Sequence, residues 1–316
     1  MRSLLLISLL IWGELAWGQN QNLSNGNIFE GEPYVAVNPA NPQHVVVGWM
    51  GWTGFATQFK IKTRTSFDGG QSWSPTVELP HMVNGYSSAD PCMAFDQQGS
   101  VFVSYIDFTG TMPPVTGGVF LAKSTDGGLT WQQPTKVIDT DTDGSQWPID
   151  RPWMVISKSP GPYQGYIYVT TFNLNRNQAP FNPYLSVSGD GGNTFQTRYL
   201  DTTGWLAGNL NPLPMCSPAV SASGAFHGIY PSFALAQSPY FQSFLVSSVN
   251  GGTDLIHQHA LTQTDPPSVL DYPHAKKGGL LLCNPAADSH LVFLFLSAEF
   301  GNLDVFLTES FNAGAD

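Results

Sequence analysis

Short apolar runs separated by turn residues recur along the chain and predict β-strands. The first group reads YVAV at residues 34–37, HVVVGW at 44–49, FKIKTRT at 59–65 and TVEL at 76–79. These runs are rich in Val, Ile, Tyr, Phe and Thr and are bounded by turn residues, which is typical of strands. No segment beyond residue 18 shows helical periodicity over three turns. The pattern therefore predicts an all-β protein.

An eight-residue motif, which we call the box, follows the third strand of each predicted group. Its clear copies are SFDGGQSW, STDGGLTW and SGDGGNTF, which begin at Ser66, Ser124 and Ser188. Degraded copies begin at Ser247, with one extra residue, and at Ser310. Successive serines are 58, 64, 59 and 63 residues apart (66 to 124, 124 to 188, 188 to 247, 247 to 310). Self-similarity at such a period indicates stacked or radially arranged units.

A second landmark keeps the same register, because a dipeptide ending in proline precedes the first strand of each of the first four units. These dipeptides are Glu32-Pro33, Asp90-Pro91, Arg151-Pro152 and Ser217-Pro218. Four strands per unit, repeated about five times, predict a β-propeller of five or six antiparallel blades. The box lies between strands three and four of each blade.

The boxes resemble the Asp boxes of the sialidase-like β-propellers with bacterial neuraminidase (BNR) repeats, of the secreted bacterial type. The resemblance extends from about Glu30 to the C-terminus. It implies that the boxes are structural turns at the periphery, on the face opposite the active site. The same boxes occur in sialidases, other glycosidases and non-enzymatic propellers, so the resemblance implies a fold rather than a reaction. The matching positions are Ser66, Asp68, Gly70, Trp73, Ser124, Asp126, Gly128, Trp131, Ser188, Asp190, Gly192 and Phe195.

Each residue type in the box has a structural use. The paired glycines accept positive φ, and the Asp carboxylate can accept hydrogen bonds from the amides of its own turn. The final aromatic residue can pack against the adjacent blade. Sialidases have six blades, whereas five boxes are present and the chain stops inside the fifth. We expect residues 19–29 to complete the last blade; the alternative is a domain that is incomplete at its C-terminus.

The first eighteen residues have the features of a signal peptide. Arg2 precedes an apolar run at residues 4–12, and Ala16-Trp17-Gly18 offers a cleavage site before Gln19. No later apolar run approaches the roughly 20 residues of a transmembrane helix. We therefore expect a secreted or periplasmic protein with one propeller domain at residues 19–316 and no membrane span.

Composition narrows the range of partners. The net charge is −11 and charged residues make up only 11% of the chain. Nucleic acid is not an expected partner, because no basic patch exists to displace its counterions. The three cysteines are too few and too far apart for a disulfide framework, and we interpret them mainly as small buried residues. A single disulfide between two of them is the alternative.

Candidate functional residues follow from the repeat register. In a propeller, the loops that lead into the first strands and those that join the second and third strands share one face near the axis. The candidate catalytic residues on that face are Glu32, Asp90, Asp107, Asp150 and Arg151. The candidate substrate-binding residues are Trp49 and Trp52, which could stack on sugar rings, and Arg176.

Two functions remain open at this point. A sialidase needs three arginines to bind the substrate carboxylate, but only Arg151 and Arg176 reach the expected face. An ordinary sialidase is therefore not expected. A different glycoside hydrolase could use two of the carboxylates. The scarcity of arginine slightly favours a non-catalytic propeller that binds carbohydrate or a cell-surface glycoconjugate, with its oligomeric state left open.

One acidic segment resembles a calcium loop. The stretch is residues 139–150. Its first, third, fifth and twelfth positions are aspartates and its sixth is Gly144, as in a twelve-residue calcium loop. The four aspartates are Asp139, Asp141, Asp143 and Asp150. The alternative is a solvated acidic turn between blades. No cofactor is otherwise expected, and calcium is the one candidate.

Overall fold

The computed structural model describes residues 20–26, 29–52, 58–142, 144, 146–173, 183–200, 216–232, 238–264 and 279–315. This part of the chain contains nineteen β-strands and no helix. The prediction of an all-β protein is confirmed. Within the same residues, no helix has the length and apolar character needed to cross a membrane.

The strands form five antiparallel sheets, which we call blades 1 to 5 in chain order. Blade 1 contains β1 (Glu30–Asn38), β2 (Asn41–Trp52), β3 (Phe59–Ser66) and β4 (Val77–Glu78). Blade 2 contains β5 (Ser87–Phe95), β6 (Val101–Phe108), β7 (Gly117–Ser124) and β8 (Thr135–Asp139). Blade 3 contains β9 (Ile149–Ile156), β10 (Ile167–Asn173), β11 (Pro183–Ser188) and β12 (Gln196–Tyr199). Blade 4 contains β13 (Ser217–Val220), β14 (Phe226–Ser232), β15 (Phe241–Ser248) and β16 (Ile256–Gln263). Blade 5 contains β17 (Gly279–Cys283), β18 (Leu291–Ser297) and β19 (Asp304–Ser310).

The hydrophobic core lies between the blades. Val46 and Ile61 of blade 1 pack with Val103 of blade 2 in one cluster, and equivalent clusters join each later pair of blades. The first strands contact one another in the order β1, β5, β9, β13, β17. Each blade therefore covers an apolar face of the next, as in a β-propeller.

The box turns share one hydrogen-bonding pattern, seen most completely in blade 2. Ser124 Oγ donates to Asp126 Oδ1 at 2.8 Å and accepts from the Gly128 amide at 2.8 Å. The amide and hydroxyl of Thr130 both donate to the Asp126 carboxylate. Partial burial raises the pKa of Asp126, but these hydrogen bonds outweigh it and lower the pKa overall. The carboxylate acts as a turn cap.

The fourth box lies one residue later than the sequence analysis placed it. Ser248 Oγ donates to Asn250 Oδ1 at 3.0 Å, and the Gly252 amide donates to Ser248 Oγ at 2.9 Å. The turn therefore begins at Ser248 rather than Ser247 and has no extra residue. Asn replaces Asp as the acceptor, which disguised the register in the sequence.

Each box from blade 2 onward packs on the blade before it. The Gly127 carbonyl of blade 2 lies 2.9 Å from His44 Nε2 and 3.1 Å from Thr65 Oγ1 of blade 1. Trp131 Nε1 donates to Thr63 Oγ1 of blade 1 at 3.0 Å. The glycines permit this approach, because a Cβ on Gly128 would lie 2.6 Å from Thr65 Oγ1. The boxes thus join blades as well as closing turns.

The described residues of the N-terminal segment do not complete the last blade. Gln21 Nε2 donates to the Gly70 carbonyl at 3.1 Å, and Trp73 Nε1 donates to Gln21 Oε1 at 3.0 Å. Gln21 therefore contacts the box of blade 1, and residues 20–26 contain no strand. The prediction that residues 19–29 complete the last blade is therefore wrong for residues 20–26, where Gln21 is hydrogen-bonded to the box of blade 1 instead.

Candidate functional site

The first strands of blades 1, 2 and 3 carry the same irregularity. Glu32, Asp90 and Arg151 have φ angles of 52°, 53° and 56°. At each of these positions the strand register shifts, as in a β-bulge. A positive φ is strained in residues with a Cβ and costs on the order of 1 kcal/mol each. Three blades thus deform the backbone at the same place to redirect a polar side chain.

These bulges surround one cavity of about 190 Å³. Three consecutive residues from each blade line it: residues 32–34, 90–92 and 151–153. In each triplet a polar residue precedes proline, and Tyr34, Cys92 or Trp153 follows. The sequence analysis placed Glu32, Asp90 and Arg151 on one face, and all three line this cavity. The sequence analysis did not predict that Tyr34, Cys92 and Trp153 also line the cavity. Each of them directly follows a proline of the repeated dipeptide, and this shared position could have indicated it.

A cluster of carboxyl groups lies at this cavity. The Asp90 amide donates to Glu32 Oε2 at 2.9 Å, and the Asp90 carboxyl is hydrogen-bonded to the carboxyls of Asp150 and Glu32. Burial, together with the negative charges of Asp150 and Glu32, raises the pKa of Asp90 well above its usual value. Two ionised carboxylates cannot share a hydrogen bond, so Asp90 carries the proton. It can therefore donate to its neighbours.

Arg151 supplies the positive charge. Its amide donates to Asp150 Oδ1 at 2.9 Å, and its Nε lies 3.5 Å from Asp150 Oδ2. The Arg151 side chain is only 10% exposed. Nε is buried and has no well-oriented hydrogen-bond acceptor among the described residues. The Nε–H group of Arg151 therefore lies in the wall of the cavity as a hydrogen-bond donor.

Aromatic and thiol groups complete the wall. The rings of Tyr34 and Trp153 meet edge to face with centroids 6.4 Å apart. Cys92 Sγ accepts from the Met154 amide at 3.2 Å, and burial raises the pKa of this thiol. Burial likewise raises the pKa of Tyr34, which is hydrogen-bonded to Cys92. Both groups stay neutral and form a largely apolar side of the cavity.

Asp107 lies elsewhere and is inaccessible. Its side chain is fully buried and is bound by His81 Nδ1 at 2.9 Å, Ser88 Oγ at 2.9 Å and the Met82 amide at 2.7 Å. The carboxylate therefore holds the segment that leads into β5. Asp107 is thus placed apart from the cavity lined by Glu32, Asp90 and Arg151, and a catalytic role for it stays a prediction.

The two tryptophans do not form an open platform for a sugar. Trp49 is 6% exposed, and its Nε1 donates to Glu30. Glu30 also pairs with Lys62 at 2.8 Å. Trp52 is half-buried against the ring of Phe59, with centroids 5.3 Å apart. Trp49 is largely enclosed in blade 1, and the stacking of Trp49 or Trp52 on a sugar stays a prediction. Arg176 lies outside the described residues.

The acidic segment before blade 3 is only partly described. Asp139 Oδ2 accepts from Lys136 Nζ at 2.8 Å, and Asp141 Oδ1 accepts from Gln146 Nε2 at 3.1 Å. Asp150 instead faces Asp90 and Arg151, and Asp143 lies outside the described residues. Among the residues that are described, no group of three or more His, Cys, Asp or Glu side chains is arranged to hold a metal ion. The calcium loop stays a prediction.

Solved structures, but no family model or curated protein, resemble this chain, and the resemblance is one of fold. No protein-family model and no curated protein matches the chain. A Dyadobacter fermentans protein of unknown function matches with a TM-score of 0.57 and 17% identity, covering 92% of this chain and 80% of that one.

Two enzymes of known structure also match. A Penicillium chrysogenum α-L-arabinanase complexed with arabinobiose matches with a TM-score of 0.54 and 14% identity, over 86% of this chain and 77% of that one. The leech intramolecular trans-sialidase complexed with 2,7-anhydro-Neu5Ac matches with a TM-score of 0.52 and 11% identity, over 96% and 64%. At these identities the chain is similar to sialidase-like propeller enzymes in fold.

Proposed function

We propose that this protein is an exported propeller that binds a carbohydrate in the cavity between blades 1, 2 and 3. The observation that carries the proposal is the set of three equivalent bulges, which turn Glu32, Asp90 and Arg151 into one cavity. Backbone strain of this kind persists where the surrounding structure enforces it, and it is concentrated at functional sites. The alternative, turn capping alone, gives no reason for three strained residues to converge.

The chemistry of the cavity suits a sugar. Sugar hydroxyls both donate and accept hydrogen bonds. Glu32 offers an acceptor, Arg151 a donor, and protonated Asp90 both. Tyr34 and Trp153 offer apolar surface for the ring carbons. The cavity of about 190 Å³ is smaller than the roughly 300–1,000 Å³ of drug-sized sites. We therefore infer that it accepts a single sugar residue.

The charges favour a neutral sugar over an anionic one. Glu32 and Asp150 carry negative charge beside the single cation Arg151, which is already paired with Asp150. A sialic acid carboxylate would meet net negative charge in this cavity. This agrees with the scarcity of arginine in the sequence.

Hydrolysis of a glycoside is a second candidate function, which the raised pKa of Asp90 supports. A carboxyl whose pKa is raised by burial and by neighbouring carboxylates can act as a general acid, with Glu32 or Asp150 as its partner. Retaining glycosidases hold their two carboxyls about 5 Å apart. Asp90 is in hydrogen-bond contact with both of its neighbours, so the carboxyls would have to separate around a substrate. Binding is therefore the better supported function.

The proposal also covers the type of propeller, the position of the box turns and the role of the N-terminal residues. We propose that the five blades are those of an Asp-box propeller, with the box turns at the periphery, and that residues 1–18 direct export. The saccharides bound by the Penicillium and leech enzymes support a carbohydrate as the ligand here.

Glycan binding can be tested directly. The mature protein would be applied to an array of neutral and sialylated glycans, and hits would be measured by isothermal titration calorimetry. We expect neutral glycans to bind, and we expect Glu32→Gln and Arg151→Gln each to weaken binding about tenfold or more, because each removes a charged hydrogen-bonding group. Glu78→Gln is the matched control, since Glu78 lies on β4 and pairs with Lys60 at 3.4 Å.

A fluorogenic glycoside panel separates the two candidate functions. Turnover that is lost in Asp90→Asn while binding persists would assign catalysis to this cavity. Unchanged glycan binding in both Glu32→Gln and Arg151→Gln would contradict the proposal that this cavity is the site.

A further inference from the structure

The cavity between blades 1, 2 and 3 holds more negative than positive charge. The carboxyl groups of Glu32 and Asp150 both contact the carboxyl group of Asp90. Arg151 is the one cation among the described residues that line the cavity, and its Nε lies 3.5 Å from Asp150 Oδ2. None of the ion pairs formed by described residues includes Glu32. The cluster therefore lacks a second cation.

The three carboxyl groups oppose one another's ionisation. Burial, and then the negative charges of Asp150 and Glu32, raise the pKa of Asp90. The effect of the charges is ordinary repulsion between like groups in contact. A cation placed among the three groups reduces this repulsion, whereas a neutral ligand leaves it unchanged. The cavity therefore offers a cationic ligand a gain in binding that it does not offer a neutral one.

The cluster is open to a ligand on one side and shielded from water on the other. Glu32 is exposed, whereas Asp90 and Asp150 are half-buried, and the Asp150 side chain is 16% exposed. A cation that lies between these groups can contact Glu32 without removing all of its hydration. Its attraction to the two less exposed carboxyls acts through little water and is correspondingly stronger.

An ammonium group suits this cluster better than a metal ion does. A primary ammonium has three N–H donors and no acceptor, and three carboxyl groups that meet at Asp90 offer it acceptors on different sides. In the part of the chain that the structure describes, no set of three or more His, Cys, Asp or Glu side chains is arranged to hold a metal. Tyr34 and Trp153 line the same cavity, and aromatic faces attract organic cations within about 6 Å.

Arg151 adds an independent requirement for a ligand oxygen. Its side chain is 10% exposed, and its buried Nε has no well-oriented acceptor among the described residues. A buried donor that lacks an acceptor is costly, so an oxygen atom of the ligand at this point is favourable. The same Nε lies close to Asp150, which belongs to the carboxyl cluster. The ligand therefore needs a cationic nitrogen and an oxygen close together, as on adjacent carbons.

We propose that the sugar bound in this cavity is an amino sugar with a free amine and a hydroxyl on the adjacent carbon. The ammonium group donates to the three carboxyls, and the hydroxyl oxygen accepts from Arg151 Nε. The ring carbons pack on Tyr34 and Trp153. An N-acetyl group would remove the charge and leave a single N–H donor. This inference rests on the proposed carbohydrate site and adds the class of sugar.

Calorimetric titration of the mature protein near pH 6 tests this preference. The probes are the methyl glycosides of glucosamine, glucose and N-acetylglucosamine. An amine whose pKa resembles that of an α-amino group, about 7.7–8.0, is charged at this pH. We expect the glucosamine glycoside to bind about tenfold more tightly than the other two, or better, because only its nitrogen forms charge-assisted hydrogen bonds.

Two variants separate the amine from the rest of the sugar. Glu32→Gln should lower the ratio of glucosamine to glucose affinity several-fold, because it removes one carboxylate from the cluster. Arg151→Gln should weaken the binding of both glycosides without lowering this ratio, since it removes the donor to the hydroxyl and a charge that repels the amine. Glu78→Gln on β4, where Glu78 pairs with Lys60 at 3.4 Å, is the matched control and should leave the ratio unchanged. Melting temperatures of the variants verify that they fold.

The possible failures are distinguishable. Equal binding of the three glycosides would overturn this inference alone, because the carbohydrate site would stand. If no sugar binds, the proposed function fails and this inference fails with it. Ethanolamine is an amino alcohol without a ring, and its binding as tightly as the glucosamine glycoside would overturn the assignment to a sugar. An unchanged affinity ratio in Glu32→Gln would show that the amine does not lie at the carboxyl cluster.

Discussion

Replacing Asp90 with asparagine should stabilise the protein at neutral pH. In the folded protein Asp90 is enclosed beside Glu32 and Asp150, and its pKa is raised by burial and by these two charges. In the unfolded chain the same carboxyl has a pKa of about 3.9. Between the unfolded and the folded pKa, folding is therefore coupled to uptake of a proton by Asp90. Asparagine retains a donor for the neighbouring carboxyls and needs no proton.

The sign and size of the effect follow from proton linkage. For a group whose pKa is raised on folding, the stability it contributes is full below the unfolded pKa of about 4 and is lost as pH rises to the folded pKa. The loss is about 1.4 kcal/mol for each pH unit in that window. Asp90→Asn should therefore match the wild type near pH 4. Its advantage in free energy of unfolding should then grow by about 1.4 kcal/mol per unit until the folded pKa is passed.

Urea denaturation of both proteins at pH 4, 5, 6 and 7 measures this difference. Glu78→Gln on β4 serves as the control for loss of a carboxylate outside the cavity. A difference between Asp90→Asn and the wild type that is independent of pH would refute the reasoning. So would a variant that is less stable than the wild type at pH 7.

Three further predictions concern other parts of the molecule. Lys62→Ala should lower the free energy of unfolding by about 3 kcal/mol in urea denaturation, because Glu30 would be left as a buried, unpaired charge; adding Glu30→Gln should recover part of this. Asp126→Ala should lower the melting temperature by a few degrees, since the amides and hydroxyls of the second box lose their acceptor, whereas Asp141→Ala in an exposed turn should leave it unchanged. Glu32→Gly should change the free energy of unfolding by less than about 1 kcal/mol, because relief of the strain at a φ of 52° offsets the loss of the hydrogen bond from the Asp90 amide, while glycan binding measured by calorimetry is lost.

Much of the fold was predictable because its signals are local. Alternating apolar runs identified the strands, and the paired glycines with their acidic partner identified the turns of the first three blades. The fourth box shows the limit of this reasoning. Its acceptor is Asn250, and only the hydrogen bonds to Ser248 revealed the correct register.

The candidate site was predictable in part. The residues before proline share a position in the repeat, so the sequence alone was enough to group Glu32, Asp90 and Arg151. Their positive φ angles could not be predicted, since glutamate and arginine have no local preference for that conformation and aspartate, although enriched in it, adopts it in only a small fraction of cases. Burial of Trp49 and Asp107 depends on contacts from other strands and on a separate segment, His81 to Ser88, which the repeat pattern does not describe.

The three bulges also bear on how this scaffold could acquire a new ligand. The backbone at positions 32, 90 and 151 has the same bulge and positive φ in three blades that carry three different side chains there, so this conformation does not need one particular residue type. Substitution at these positions would change the chemistry of the cavity while the blades around it keep their packing. Three codons would then be enough to explore a range of specificities, and a combinatorial library at these positions is a natural starting point for redesign.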